Sequence, residues 1–195
     1  MKELWQYREL FYFFSWRDLK VKYKQTTLGL AWAILQPVAM MSIFVLFFAN
    51  ALQLSTQALP PAVFYLGALL YWNLFQAGLS HSAESMITNA NIIKKIYFPR
   101  LIIPISSILV ALFDFLVAAV VFVAILIYHD LLGQLPQLNY LNALLAMCSA
   151  LLITLITTFG FGIYLAALTV KYRDFRYIIP FSYNFFSLPR QLSIR

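Results

Sequence analysis

Between Lys24 and Lys94, and again between Arg100 and Lys171, this chain contains no Lys or Arg. Twelve of its fourteen basic residues are bunched into Lys2 to Lys24, Lys94 to Arg100 and Lys171 to Arg176. A hydrocarbon layer about 30 Å thick is crossed by a helix of roughly 20 mostly apolar residues. The two basic-free tracts supply four such stretches, at about 26–50, 62–80, 101–128 and 141–170. With 63% hydrophobic residues, 11% charged residues and a mean hydropathy of +0.80, one water-soluble core would leave large apolar patches in water. The pattern predicts an all-α integral membrane protein: an N-terminal amphipathic helix (1–25), four transmembrane helices within 26–181, and a tail (182–195).

Positive charge stays on the cytoplasmic side of a membrane. The connections 51–61 and 129–140 carry no Lys or Arg and are expected outside. The N-terminus, the 84–100 segment and the chain after the fourth span are expected inside. The third and fourth spans are longer than the bilayer is thick, so they must tilt, bend or protrude. A charged, aromatic segment precedes the first apolar run where a cleavable export signal would have only a short basic region, so none is expected. The net charge of +7 follows from these basic loops and needs no nucleic-acid partner. Cys148, His81 and His129 have no metal-motif spacing and are read as structural.

The segment Glu3 to Lys24 has helical periodicity with two distinguishable faces. Tyr12, Trp16, Leu19 and Tyr23 share one side, and Arg17, Lys20 and Lys24 share another. Such a helix is expected to lie along the inner membrane surface, rings at the headgroups and cations toward anionic lipid. It is either a topology anchor or also a contact for a cytoplasmic partner. In the 84–100 segment, Pro99 keeps any helix short. Its Ile92, Ile93, Ile96, Tyr97 and Phe98 suit headgroup insertion or docking into a groove of another protein.

Three stretches carry a specific resemblance: Arg17 to Pro37 (RDLKVKYKQTTLGLAWAILQP), Asn89 to Arg100 (NANIIKKIYFPR) with the LIIPISS that follows, and Val170 to Phe181 (VKYRDFRYIIPF). In this order they resemble landmarks of the membrane subunit of type-2 ABC exporters that move O-antigen, capsule or teichoic-acid chains across the bacterial cytoplasmic membrane. The resemblance implies a permease that dimerises with a second copy, pairs with a separate ATPase subunit and carries a lipid-linked polysaccharide. It implies ATPase-coupling residues at Asn89, Asn91, Ile92, Ile93, Lys94, Lys95, Tyr97 and Arg100. It also implies an interface helix presenting Tyr12, Trp16, Arg17, Lys20, Tyr23 and Lys24, with Lys171 to Arg176 as a further contact. Independently of the resemblance, the chain has no G-x-x-x-x-G-K-[ST] loop and no nucleophile elbow or zincin motif. No cofactor is expected on this chain, and ATP and Mg are expected on the partner ATPase.

Polar and aromatic residues inside the spans are the remaining candidates for a translocation path or for helix packing. Asp114 lies near the middle of the third span, where an acidic group costs about 2.5–3.5 kcal/mol on insertion scales. It either faces a path or dimer seam, or hydrogen-bonds a neighbouring helix, with Asn73 and Gln76 as partners. Gln36 and Pro37 interrupt the first span, and Pro37 favours a kink. Tyr71, Trp72 and Phe75 either stack sugar rings or belong to an interfacial aromatic belt. The tail departs from the family after about Phe181, which implies a C-terminally truncated permease. The alternatives to an exporter subunit are an inactive remnant of one, or an integral-membrane enzyme of lipid-linked glycan metabolism. Against the enzyme, the seven carboxylates are scattered without a pair in matching register.

Overall fold

A computed structural model of the chain describes residues 7–24, 30–51, 59–95, 97–135 and 140–172. Among these residues every regular element is helical: α1 (Arg8–Lys24), α2 (Leu30–Phe44) running into a wider π-type turn (Val45–Ala51), α3 (Pro61–Thr88), α4 (Ala90–Ile93), α5 (Ile102–Leu131) and α6 (Tyr140–Lys171). Four helices, α2 with its extension, α3, α5 and α6, are long and apolar enough to cross a membrane. The last two, with 30 and 32 residues, extend about 45 and 48 Å, well beyond a hydrocarbon layer of about 30 Å. The tail 182–195, Ile96 and the Arg173 to Arg176 contact segment lie outside the described residues.

The central element is α3, which packs against both α5 and α6. One end of it contributes Val63, Leu66, Leu70 and Leu74, which close on Ala111, Phe115, Ala118 and Phe122 of α5. Against α6 the contact changes character. Gly78 and Ser82 of α3 face Thr158 and Gly162 of α6, so close that a Cβ on Gly78 would sit 2.4 Å from the Thr158 Cγ2. Further along, the Thr169 hydroxyl donates to the Ala83 carbonyl at 2.7 Å. Between helices surrounded by lipid there is no hydrophobic gain from association, so close backbone approach over small residues and interhelical hydrogen bonds hold the pair together. Thr158, Gly162 and Ala166 recur every four residues on α6 and are all buried.

The helix that holds the second expected span runs beyond it. The stretch expected to cross the membrane is about 62–80, and α3 continues past it to Thr88. Ser85 donates to the Ser82 carbonyl at 2.6 Å and Thr88 to the Glu84 carbonyl at 3.0 Å. These hydroxyls satisfy themselves on their own helix, so their polarity does not end it. Asn89 then closes α3, with its backbone N–H and its side-chain Nδ2 both donating to the Ser85 carbonyl. The expected 84–100 loop therefore begins only at Asn89 and contains the single turn α4. At the opposite end of the bundle, Gly133 has φ +65, which only glycine adopts freely, and Tyr140 donates to Asp130 at 2.7 Å across the start of α6.

Substituting Gly78 by Ala is expected to cost about 1–3 kcal/mol, the range for overpacking a filled contact. The Thr158 methyl cannot rotate away without losing the 2.6 Å hydrogen bond from Thr158 Oγ1 to the Thr154 carbonyl. Thermal unfolding in detergent measures this, and Thr158→Ser in the same chain, which removes the methyl, is expected to recover most of the loss.

Candidate functional site

Two features converge where α1 meets the bundle: a platform at the base of α3 and α5, and a polar cleft beside it. On the platform, Phe14 is 2% exposed and packs on Phe98 at a centroid distance of 5.7 Å, with Ile102, Ile103, Ile92 and Ile93 around them. Arg17 lies over the Phe14 ring, bonds Asp18, and donates to the Asn89 Oδ1 at 2.7 Å. The guanidinium thereby joins α1 to the end of α3. Nine residues beyond Phe14, Tyr23 meets Phe113 at 5.7 Å and donates to Asp114. Nine residues of α1 and the eleven from Ile103 to Asp114 cover about 14 and 17 Å respectively, so α1 runs beside α5 in the same direction.

This docking rearranges the expected faces. The buried stripe of α1 is Phe14 and Ser15 with Tyr7, Leu10 and Phe11 beside them, a face the two-sided reading did not separate. Tyr12 and Trp16 stack on each other and stay exposed, while Tyr23 is drawn away from them to Asp114. Among the basic residues, Lys20 and Lys24 are exposed and Arg17 is committed to Asp18 and Asn89. The coupling set splits in the same way. Asn89 is buried and Ile92 and Ile93 are half-buried against α1, whereas Asn91, Lys94, Lys95, Tyr97 and Arg100 are exposed. Phe98, Ile92 and Ile93, expected to dock on a partner or in headgroups, instead hold the chain's own N-terminal helix, because that helix offers them an apolar face.

The cleft, of about 480 Å³, lies between α2 on one side and α3 and α5 on the other, with the end of α1 at its edge. Gln36, Pro37 and Trp32 come from α2, Asn73, Gln76, Ser80 and His81 from α3, Asp114 from α5, and Lys22 and Tyr23 from α1. The expectation for Asp114 is corrected here. Its partners are Lys22, through an ion pair, and the Tyr23 hydroxyl, while Asn73 and Gln76 line the same cleft. Lys22 escaped the sequence reading because it lies outside the basic face formed by Arg17, Lys20 and Lys24. The available signal was its place on the stripe Phe11, Asp18, Lys22 at helical spacing. Burial, followed by the hydrogen bond to Asp114, pushes the Tyr23 phenol well above its ordinary value of 10.0.

The aromatic residues of α3 do not share this cleft. Tyr71 donates to the Met147 carbonyl of α6 at 3.1 Å and packs on Phe115. Trp72 is half exposed and pairs with Phe75. Gln36, Pro37 and Asp114 are thus brought together, and Tyr71, Trp72 and Phe75 are directed elsewhere. Among the described residues no cluster of His, Cys, Asp and Glu fits a metal ion.

A bundle of long apolar helices held by small-residue contacts and interhelical hydrogen bonds, with several of its polar side chains on one cleft, defines a multi-pass membrane protein. The chain belongs to the ABC-2 type transporter family, whose model matches residues 9–188. It is 32% identical over 158 residues to two O-antigen export system permease proteins RfbA of Klebsiella pneumoniae, covering 81% of this chain and 58% of theirs. It is 27% identical over 179 residues to the protein of the same name from Myxococcus xanthus, covering 92% of this chain and 65% of that one. The chain thus spans less than two thirds of the length of these relatives.

Phe14→Ala is expected to cost about 3 kcal/mol of α1 docking, read as faster trypsin cleavage after Arg17 and Lys20. Trp16→Ala, at a 55% exposed position, should leave that rate unchanged. The raised value of the Tyr23 phenol also makes stability depend on pH. The folded chain holds this proton more tightly than the unfolded chain, so the linked stability is complete below pH 10 and is lost as pH rises above it. Absorbance titration is expected to show a late-ionising tyrosine fraction, and Asp114→Asn, which removes the charged acceptor facing Tyr23, should make that fraction smaller.

Proposed function

We propose that the chain is the transmembrane subunit of an ATP-driven exporter that moves a lipid-linked polysaccharide, of the O-antigen, capsule or teichoic-acid kind, across the bacterial cytoplasmic membrane. In this reading the N-terminus is cytoplasmic, a second copy completes the passage, and a separate ATPase subunit binds ATP and Mg. The observation that carries it is the platform: one face of the α4 segment is sealed onto α1, while Asn91, Lys94, Lys95, Tyr97 and Arg100 are left exposed beside it. A surface turn that is anchored by Phe98 and by the Arg17–Asn89 bond can pass a push into α1, α3 and α5 without absorbing it, because packed helices move as bodies. The names of the relatives support the cargo, and family membership supports the division of labour between permease and ATPase.

The exposed residues define the test. Replacing Lys94, Lys95 and Tyr97 by Ser leaves the Phe14–Phe98 packing untouched and is expected to reduce copurification of an ATPase subunit at least about tenfold, since interface energy concentrates in a few aromatic and charged residues. Restored surface polymer in a strain lacking its export permease measures the transport itself. A folded chain that never associates with an ATPase, whatever these residues are, would refute the coupling.

A further inference from the structure

The cleft between α2, α3 and α5 has a composition that packing alone does not call for. Its volume of about 480 Å³ falls in the range of small-ligand sites. Three carboxamides, Gln36, Asn73 and Gln76, line it together with Ser80 and the indole of Trp32. Each carboxamide offers both donors and an acceptor, the combination that vicinal hydroxyl groups require. Pro37 adds another acceptor: it has no N–H for the Ala33 carbonyl, four residues back, and Ala33 and Pro37 both line the cleft. The charges present cancel, because Lys22 is paired with Asp114. An anionic group would find no uncommitted cation in that pair, and a cation no uncommitted carboxylate. Polar groups at this depth are costly unless they find hydrogen-bond partners, in the protein itself or in a ligand.

We propose that this cleft is a binding site for one uncharged polyhydroxyl group, a sugar ring, whose C–H face lies on Trp32 and whose hydroxyls bond Gln36, Asn73 and Gln76. The Lys22–Asp114 pair holds the end of α1 as the rim of the site. The ligand class is read from the side chains; only its biological source, the glycan of a lipid-linked polymer, rests on the exporter reading above. Trp72 and Phe75, the aromatic pair on α3 outside the cleft, take no part.

The test uses the full chain in phosphatidylcholine nanodiscs with a monoglucosyl diacylglycerol as probe, and native mass spectrometry to count retained lipid. Retention of the glucosyl lipid about tenfold above diacylglycerol and above phosphatidylglycerol is expected. The double substitution Gln36→Leu with Asn73→Leu, which removes two hydrogen-bonding groups, should abolish that preference. Trp32→Ala should weaken it, and Trp72→Leu should not change it. Retained helicity and an unchanged unfolding midpoint show that the Leu variants are folded. Should they fail to fold, Gln76→Leu, on the rigid centre of α3, makes the same measurement alone. Competition by free glucose supports a site that needs the ring only, and retention without such competition supports a site for the lipid-linked form. Equal retention of diacylglycerol, or a preference for phosphatidylglycerol, overturns the proposal. Loss of glucosyl-lipid preference with polymer export intact sinks this site alone, and loss of ATPase association with the preference intact sinks only the coupling.

Discussion

A carboxylate placed among apolar helices has to find a partner, and the position of α1 follows from how Asp114 finds one. Its ion pair with Lys22 and its hydrogen bond from Tyr23 fix the end of α1 against α5. Phe14 fixes its beginning against Phe98 and Ile102. With both ends held, α1 stands as a strut along α5. The pair is only partly buried, with side chains 39% and 26% exposed. Its value therefore lies in orientation more than in net stability, since screened pairs contribute little and sealed ones pay heavily for desolvation.

The strut connects two regions with opposite needs. At its base the exposed face of the α4 segment is available to another protein, and its apolar face is not, because Ile92, Ile93 and Phe98 close on α1. At its far end Lys22 and Tyr23 border the polar cleft. Arg17 sits between, bonded to Asn89 at the end of α3. A displacement of the surface turn would therefore reach α3 through Asn89 and α5 through Phe98 and Asp114. The small-residue seam between α3 and α6 would carry such movement onward, since a Cβ at Gly78 or Gly162 would meet Thr158 or Ser82 at 3.0 Å or less.

How much of this was legible varies residue by residue. The spans follow from counting apolar residues, and three of the four ends fall within a few residues of expectation. The fourth, that of α3, lies past the expected span end at Ser80, with the Ser85 and Thr88 hydroxyls bonded within the helix and Ser82 buried. The aromatic residues of α3 were legible as a group but not as individuals: Tyr71 binds α6 while Trp72, one residue on, is exposed. Neighbours on a helix point about 100° apart, and composition cannot say which direction faces which helix.

By itself, the sequence determined the fold class, the number of spans and the kinship of the chain, because these depend on quantities local to the chain: the run of apolar residues needed to cross about 30 Å, the bunching of Lys and Arg, and contiguous motifs. Only the tertiary structure decided that Asp114 answers Lys22 and Tyr23 from more than ninety residues away, that Phe98 serves α1, and that Gln36, Asn73 and Gln76 share one cleft. Each of those pairings depends on which faces of separate helices meet. That choice is made by packing and charge neutralisation across the whole bundle, and a local pattern such as the Phe11, Asp18, Lys22 stripe marks a face without naming its partner.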